Sequence, residues 1–130
     1  QSTKWLPYLV EGEFYAIEQQ RPFCEEMLLQ APIRCLQQAG ILHYHCVHSN
    51  YSFQNFGFVK HQPDIPGHGL KYLTKLLEVM RGKVFDVVMI DGRFRMASAM
   101  AVLQAITPQS VVFIHDFWHF SRTIRRSYQD

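Results

Sequence analysis

The chain has 130 residues, 13 basic and 11 acidic, with a formal charge of +2; 48% are hydrophobic and 18% charged. A chain of this length holds one domain and can bury about two-thirds of its surface, so its composition excludes general disorder. The weak charge excludes a mainly electrostatic binder of nucleic acid or anionic membrane, and the low share of charged residues points to a surface partly covered by a partner.

Ser2-Thr3 before Lys4-Trp5-Leu6-Pro7-Tyr8-Leu9 predicts a helix start, ended by Gly12. Glu13–Glu18 predicts a short strand, and Pro22 opens a helix with Phe23, Met27 and Leu28 as its apolar stripe. Pro32 breaks that helix, a further stretch runs to Gln38, and Gly40 is the stop signal. Ile41–Val47 predicts a strand, and residues 48–68 a loop of unusual length. Leu70, Leu73, Leu76, Leu77 and Met80 predict an amphipathic helix over 69–80. Val84–Ile90, read VFDVVMI, is the strongest strand, and its near-continuous apolar character suits a parallel strand covered on both faces. Phe94–Ala105 is helical by its alanine and methionine content, and Val111–Ile114 is a second apolar strand. In the tail, Ser121–Tyr128 predicts a helix with Arg122 and Arg126 on one edge. Strands separated by helical crossovers predict one three-layer α/β domain over 1–130 with a mostly parallel sheet. The chain opens on a helix, so the first strand of such a sheet is expected upstream of Gln1.

Ligands of open parallel sheets bind beyond the carboxyl ends of the strands. Glu18, Asp91 and Asp116 fall at or just past such ends. Each alone reads as a cap or loop residue; together they read as a ligand rim. Asp86 falls inside a strand and receives no chemistry. His43, His45 and His48 have spacing that zinc could use, but no further ligand completes a set, and ordinary partly buried histidines are the better reading, with no metal. His115 neighbours Asp116, although adjacent strand residues point oppositely. Arg93 and Arg95 oppose a helix dipole at a helix start, which either an anionic contact or simple exposure explains. Cys24, Cys35 and Cys46 are odd in number and lack metal-knuckle spacing. They read as core or interface thiols of a protein in a reducing, intracellular compartment. The apolar runs are strand-length, too short to cross a membrane.

The segment from Phe85 through Asp91-Gly92-Arg93-Phe94-Arg95, with the later Ile114-His115-Asp116-Phe117, resembles the second half of class I S-adenosylmethionine-dependent methyltransferases. More narrowly, it is similar to methyltransferase-like proteins carrying F-D-x-V-x-x-D-G-R-F-R and I-H-D-[FY]. Ser2-Thr3-Lys4-Trp5-Leu6 resembles the helix after the glycine-rich loop, and Tyr15-Ala16-Ile17-Glu18 the second strand. The resemblance implies a Rossmann-like three-layer fold truncated at one or both ends. It implies S-adenosylmethionine as cofactor, with Ser2 near the glycine loop, Glu18 on the ribose, Ser49 near the adenine and Asp91-Gly92 by the methionine part. It implies Asp91, His115 and Asp116 as the candidate catalytic groups. The alternative is a non-catalytic subunit of a larger assembly, docked to protein partners or to a continuation of the chain through Phe117, Trp118, Phe120 and the tail arginines. An RNA surface has only three arginines in its favour.

Overall fold

The structure is a computed structural model, and it describes residues 2–47, 53–54, 58–59, 65–92 and 94–115. The chain divides into two compact units, Gln1–Pro63 and Asp64–Asp130. Each is α/β and contains a two-stranded parallel sheet.

The first unit opens on two 3-10 turns, Ser2–Lys4 and Leu6–Tyr8, where the sequence predicts a longer helix. Pro7 lacks the N–H that a continuing helix needs, and it is buried. Gly12 takes φ +100 before the first strand, β1 (Phe14–Glu18). Helix α1 (Arg21–Leu29) begins with Arg21-Pro22 and buries Cys24 and Met27. Gln30 is extended at ψ 131 and separates α1 from α2 (Ala31–Gln38), which has Pro32 in its first turn and buries Ile33 and Leu36. Gly40, at φ +72, turns the chain into β2 (Leu42–Cys46). β1 and β2 are parallel, in register from Phe14↔Leu42 to Glu18↔Cys46. Their core is Cys24, Met27, Ile33, Leu36, Leu42 and Tyr44. Each large apolar side chain fully removed from water there is worth about 1.5–3 kcal/mol.

Within the predicted loop 48–68, two short strands, β3 (Phe53–Gln54) and β4 (Phe58–Val59), pair antiparallel. The second unit's first helix, α3 (Ile65–Met80), starts four residues before the predicted one. Its packed side differs in phase from the predicted leucine stripe. Gly69, Val79 and Met80 are buried and Tyr72, Leu73 and Leu76 half-buried, whereas Leu70 and Leu77, seven apart, are exposed. β5 covers Val87–Ile90 only; Val84, Phe85 and Asp86 precede it. Helix α4 (Arg95–Val102) ends in a 3-10 turn, Leu103–Ala105, and leads to β6 (Val111–Ile114). β5 and β6 are parallel, from Val87↔Val111 to Ile90↔Ile114. Ile90 packs with Met80, Val102 and Ala105, and Val88, Val112 and Ile114 join that cluster. The opposite face is not covered as the sequence suggested: Val87, Met89, Val111 and Phe113 are exposed. The pairing among the described residues is two separate parallel pairs, rather than the single four-stranded sheet expected. The predicted helix Ser121–Tyr128 lies outside the described residues.

Tyr44 generates a testable expectation. It is buried, and its Oη has no hydrogen-bond partner among the described residues. Burial first, and then the charge of Glu18, hold its phenol well above the usual tyrosine range. A phenol whose folded pKa is raised adds stability below the unfolded value of about 10 and loses it as pH rises toward the folded value. Tyr44→Phe is therefore expected to flatten the loss of stability above pH ~10. At neutral pH it should raise stability by about 1 kcal/mol, because it removes an unsatisfied buried hydroxyl. Urea unfolding at neutral and alkaline pH measures both.

Candidate functional site

Two strand-end rims carry the candidate residues, one in each unit. In the second unit the equal lengths of β5 and β6 and their register bring the next residues out together. Ile90 pairs with Ile114, and the His115 backbone N–H donates to the Ile90 carbonyl at 2.9 Å, extending the ladder one step. Asp91 and His115 thus leave neighbouring parallel strands side by side. His115 Nδ1 lies 2.8 Å from Asp91 Oδ1, a distance at which a protonated Nδ1 donates to the carboxylate. Arg95 Nη2 is 3.6 Å from the same oxygen. Both Asp91 and His115 are about half exposed, whereas the Arg95 side chain is mostly buried. Of the two readings of Arg95, contact with an acidic group is the one found, and it accounts for a cation in the first turn of α4. Arg93 lies outside the described residues.

The turn that carries Asp91 is packed against α3. The Phe94 ring lies so near Gly69 that a Cβ at that glycine would be 3.0 Å from it, and a Cβ at Gly92 would be 3.4 Å from Tyr72 Oη. Tyr72 and Phe94 are themselves in tilted ring contact at 6.2 Å. The Phe94 carbonyl accepts the Ser98 N–H at 2.7 Å and so begins α4. A glycine on α3 therefore gives Phe94 the room that positions Asp91-Gly92 and Arg95.

In the first unit Glu18 ends β1. Its Oε1 accepts the Gln20 backbone N–H at 2.7 Å, and its backbone carbonyl accepts the Val47 N–H at 2.8 Å. Tyr44 is close enough for the Glu18 charge to act on its phenol. On the β1–β2 ribbon, Tyr15 stacks on its register partner His43 at 4.4 Å and donates to Glu13. The Glu13 hydrogen bond is the first cause, ahead of burial and the Glu13 charge, that raises the Tyr15 phenol. His43 Nε2 is 3.4 Å from Glu13, so His43 is engaged by an aromatic ring and an acid. Among the described residues, no group of three or more His, Cys, Asp or Glu could hold a metal ion.

Two of the three cysteines are not free thiols: Cys24 and Cys46 form a disulfide, and Cys35 is free and exposed. The odd count concealed that pair, because spacing along the chain does not show that α1 lays Cys24 against the end of β2. Ser49, Asp116 and the Ser2 side chain lie outside the described residues, as do His48 and the tail residues Phe117–Asp130. The sequence reading singled out Asp91 and His115 but did not pair them. The signal was available in VVMI-Asp91 and VVFI-His115, two four-residue strands each followed at once by a polar group. Arg95 as a partner of Asp91, and Gly69 and Tyr72 as its support, were not expected.

Among the described residues no helix is long and apolar enough to cross a membrane. The chain matches no family model, no curated protein and no solved structure.

Gly69→Val tests the support of this rim. The added branch meets Phe94 and is expected to lower stability by about 1–3 kcal/mol, as overpacking does. It should also shift the NMR resonances of Asp91 and His115, which it does not touch. Unchanged resonances in the folded variant would show that the α3 contact does not position the turn.

Proposed function

We propose that the chain is an S-adenosylmethionine-dependent methyltransferase-like domain. The observation that carries this reading is the contact of Asp91 with His115 at the paired ends of two parallel strands. Such strand ends are where α/β proteins bind ligands, although the architecture alone serves catalytic and non-catalytic domains equally. The donor chemistry at Glu18 fits a nucleoside. A ribose diol donates and a carboxylate only accepts. The resemblance assigns the ribose to Glu18, the rest of the cofactor's nucleoside to Ser2 and Ser49, and its methionine part to Asp91 and Gly92. When bound, the cofactor supplies an electrophilic methyl group. Asp91 holds His115 through Nδ1, so that Nε2 is the nitrogen that accepts a proton from the methyl acceptor. Arg95 keeps the Asp91 carboxylate in place. Methyl transfer depends chiefly on orientation, which a held imidazole provides.

Isothermal titration of the folded chain with S-adenosylmethionine tests the reading. Glu18→Ala is expected to weaken binding roughly 10- to 100-fold, the loss of hydrogen bonds to a charged acceptor, while His115→Ala leaves binding intact. No binding by the folded chain would reject the cofactor role.

A second reading, a non-catalytic subunit, is favoured by the exposed apolar face of Val87, Met89, Val111 and Phe113. The docking surface suggested by sequence, Phe117–Phe120 and the tail arginines, lies outside the described residues. A stable monomer by native mass spectrometry that also transfers methyl groups would count against this second reading.

A further inference from the structure

We infer that the Cys24–Cys46 disulfide is a redox-sensitive latch that holds the Glu18 rim in place. Four contacts close a ring around that rim. The Gln20 N–H donates to Glu18 Oε1 at 2.7 Å, and the Cys24 N–H donates to the Gln20 carbonyl at 2.8 Å. Cys24 is joined to Cys46, which is the register partner of Glu18 across the β1–β2 ladder. The Cα–Cα separation of the cysteines is 5.9 Å, within the range a disulfide spans. Starting at the Glu18 carboxylate and passing through the first turn of α1, the ring returns to Glu18, and its covalent link is the disulfide.

The ring matters because α1 is short, and its other hold on the core is Met27 with the partly buried Phe23 and Leu28. The helix has nine residues, too few to persist alone, and its two buried side chains are Cys24 and Met27. The core it joins has six buried residues, the size at which a staple contributes much of the stability. Opening the disulfide leaves α1 held by apolar packing of Met27, Phe23 and Leu28 alone and loosens the Gln20 amide on Glu18. The consequence for nucleoside binding rests on the function proposed above; the latch itself does not.

The two sulfurs differ in access. Cys24 is fully buried and Cys46 is half-buried, so an entering thiolate reaches Cys46 first. For a dithiol reductant, one thiolate sulfur bonds to Cys46 Sγ, the Cys24–Cys46 bond breaks, and Cys24 leaves as a thiolate and takes up a proton. The second thiol of the reductant then displaces Cys46, which is also protonated. The pair gains two electrons and two protons, and the dithiol departs as a disulfide. Cys35, exposed on α2, takes no part and serves as the control.

The test uses the whole chain, equilibrated in glutathione buffers from reduced to oxidised, with dithiothreitol as the final reductant. Thiols are counted by maleimide tagging and intact mass. One tag is expected on oxidised protein and three on reduced. Reduction should lower the melting temperature by about 10 °C. Hydrogen exchange at the Gln20 and Cys24 amides should quicken about tenfold or more, while amides of Val87–Ile90 in the other unit keep their rates. In melting and exchange, Cys46→Ser should behave like reduced protein in every buffer, and Cys35→Ser like the parent. Three tags in fully oxidised buffer would overturn the disulfide. One tag there, with melting and Gln20 exchange unmoved by reduction, would overturn the latch; this readout uses the parent chain and stands even where Cys46→Ser does not fold. A latch that passes these tests while S-adenosylmethionine binds neither form would leave the latch standing and remove the cofactor reading.

Discussion

Parallel pairing is the constraint on which both candidate rims depend. Two parallel strands cannot be joined by a tight turn, so the chain must leave, build a crossover and return, and both strands then end on the same side. For β5 and β6 the crossover is α4, and Ile90 faces Ile114 at the end. Because the side-chain period is two, a one-residue slip would turn His115 to the opposite face and part it from Asp91. The His115 N–H on the Ile90 carbonyl resists that slip at the point where the strand stops. The same logic aligns Glu18 with Cys46 in the other ribbon.

The two rims are then held by different means. Glu18 is held by a ring through α1 whose one covalent cross-link is the disulfide, so its position depends on the redox state of two sulfurs. Asp91 is held by packing: Phe94 fills the space left by Gly69, and Tyr72 stands over Gly92. That support has no covalent element and responds to volume instead. It also delivers Arg95 to Asp91, so the carboxylate is held from the helix side as well as from the strand side.

Much of the secondary structure was legible because local chemistry dictates it. Pro22 and Pro32 open helices, Gly40 takes a positive φ, and the segments 14–18, 42–46 and 111–114 are strands. The failures have physical causes. The stripe of α3 was read from its four leucines and Met80, and Met80 is buried, but Gly69, Tyr72 and Val79 shift the buried side and leave Leu70 and Leu77 outside it. VFDVVMI gave no sign that one of its faces would stay exposed, because hydrophobicity measures what a strand tolerates rather than what covers it. The cysteine pair was hidden for a related reason: a bond between α1 and β2 depends on how elements meet. Asp91 and His115 were recognisable singly by their places after apolar strands. Their contact required the register.

The apolar face of β5–β6 bears on how the two functional readings relate. Val87 and Met89 point one way and Val88 and Ile90 the other, as the strand period requires. The exposed face is therefore a side of the ribbon, whereas Asp91 and His115 stand past its end. A partner seated on Val87, Met89, Val111 and Phe113 would cover the side and leave the end open. Low surface charge and a strand built of apolar residues on both faces are one fact seen at two levels, and both call for a covering layer. Chemistry at the strand ends calls for something else, a carboxylate and an imidazole held together by register. The apolar side and the polar end thus draw on different residues of the same two strands, so covering one leaves the geometry of the other unchanged.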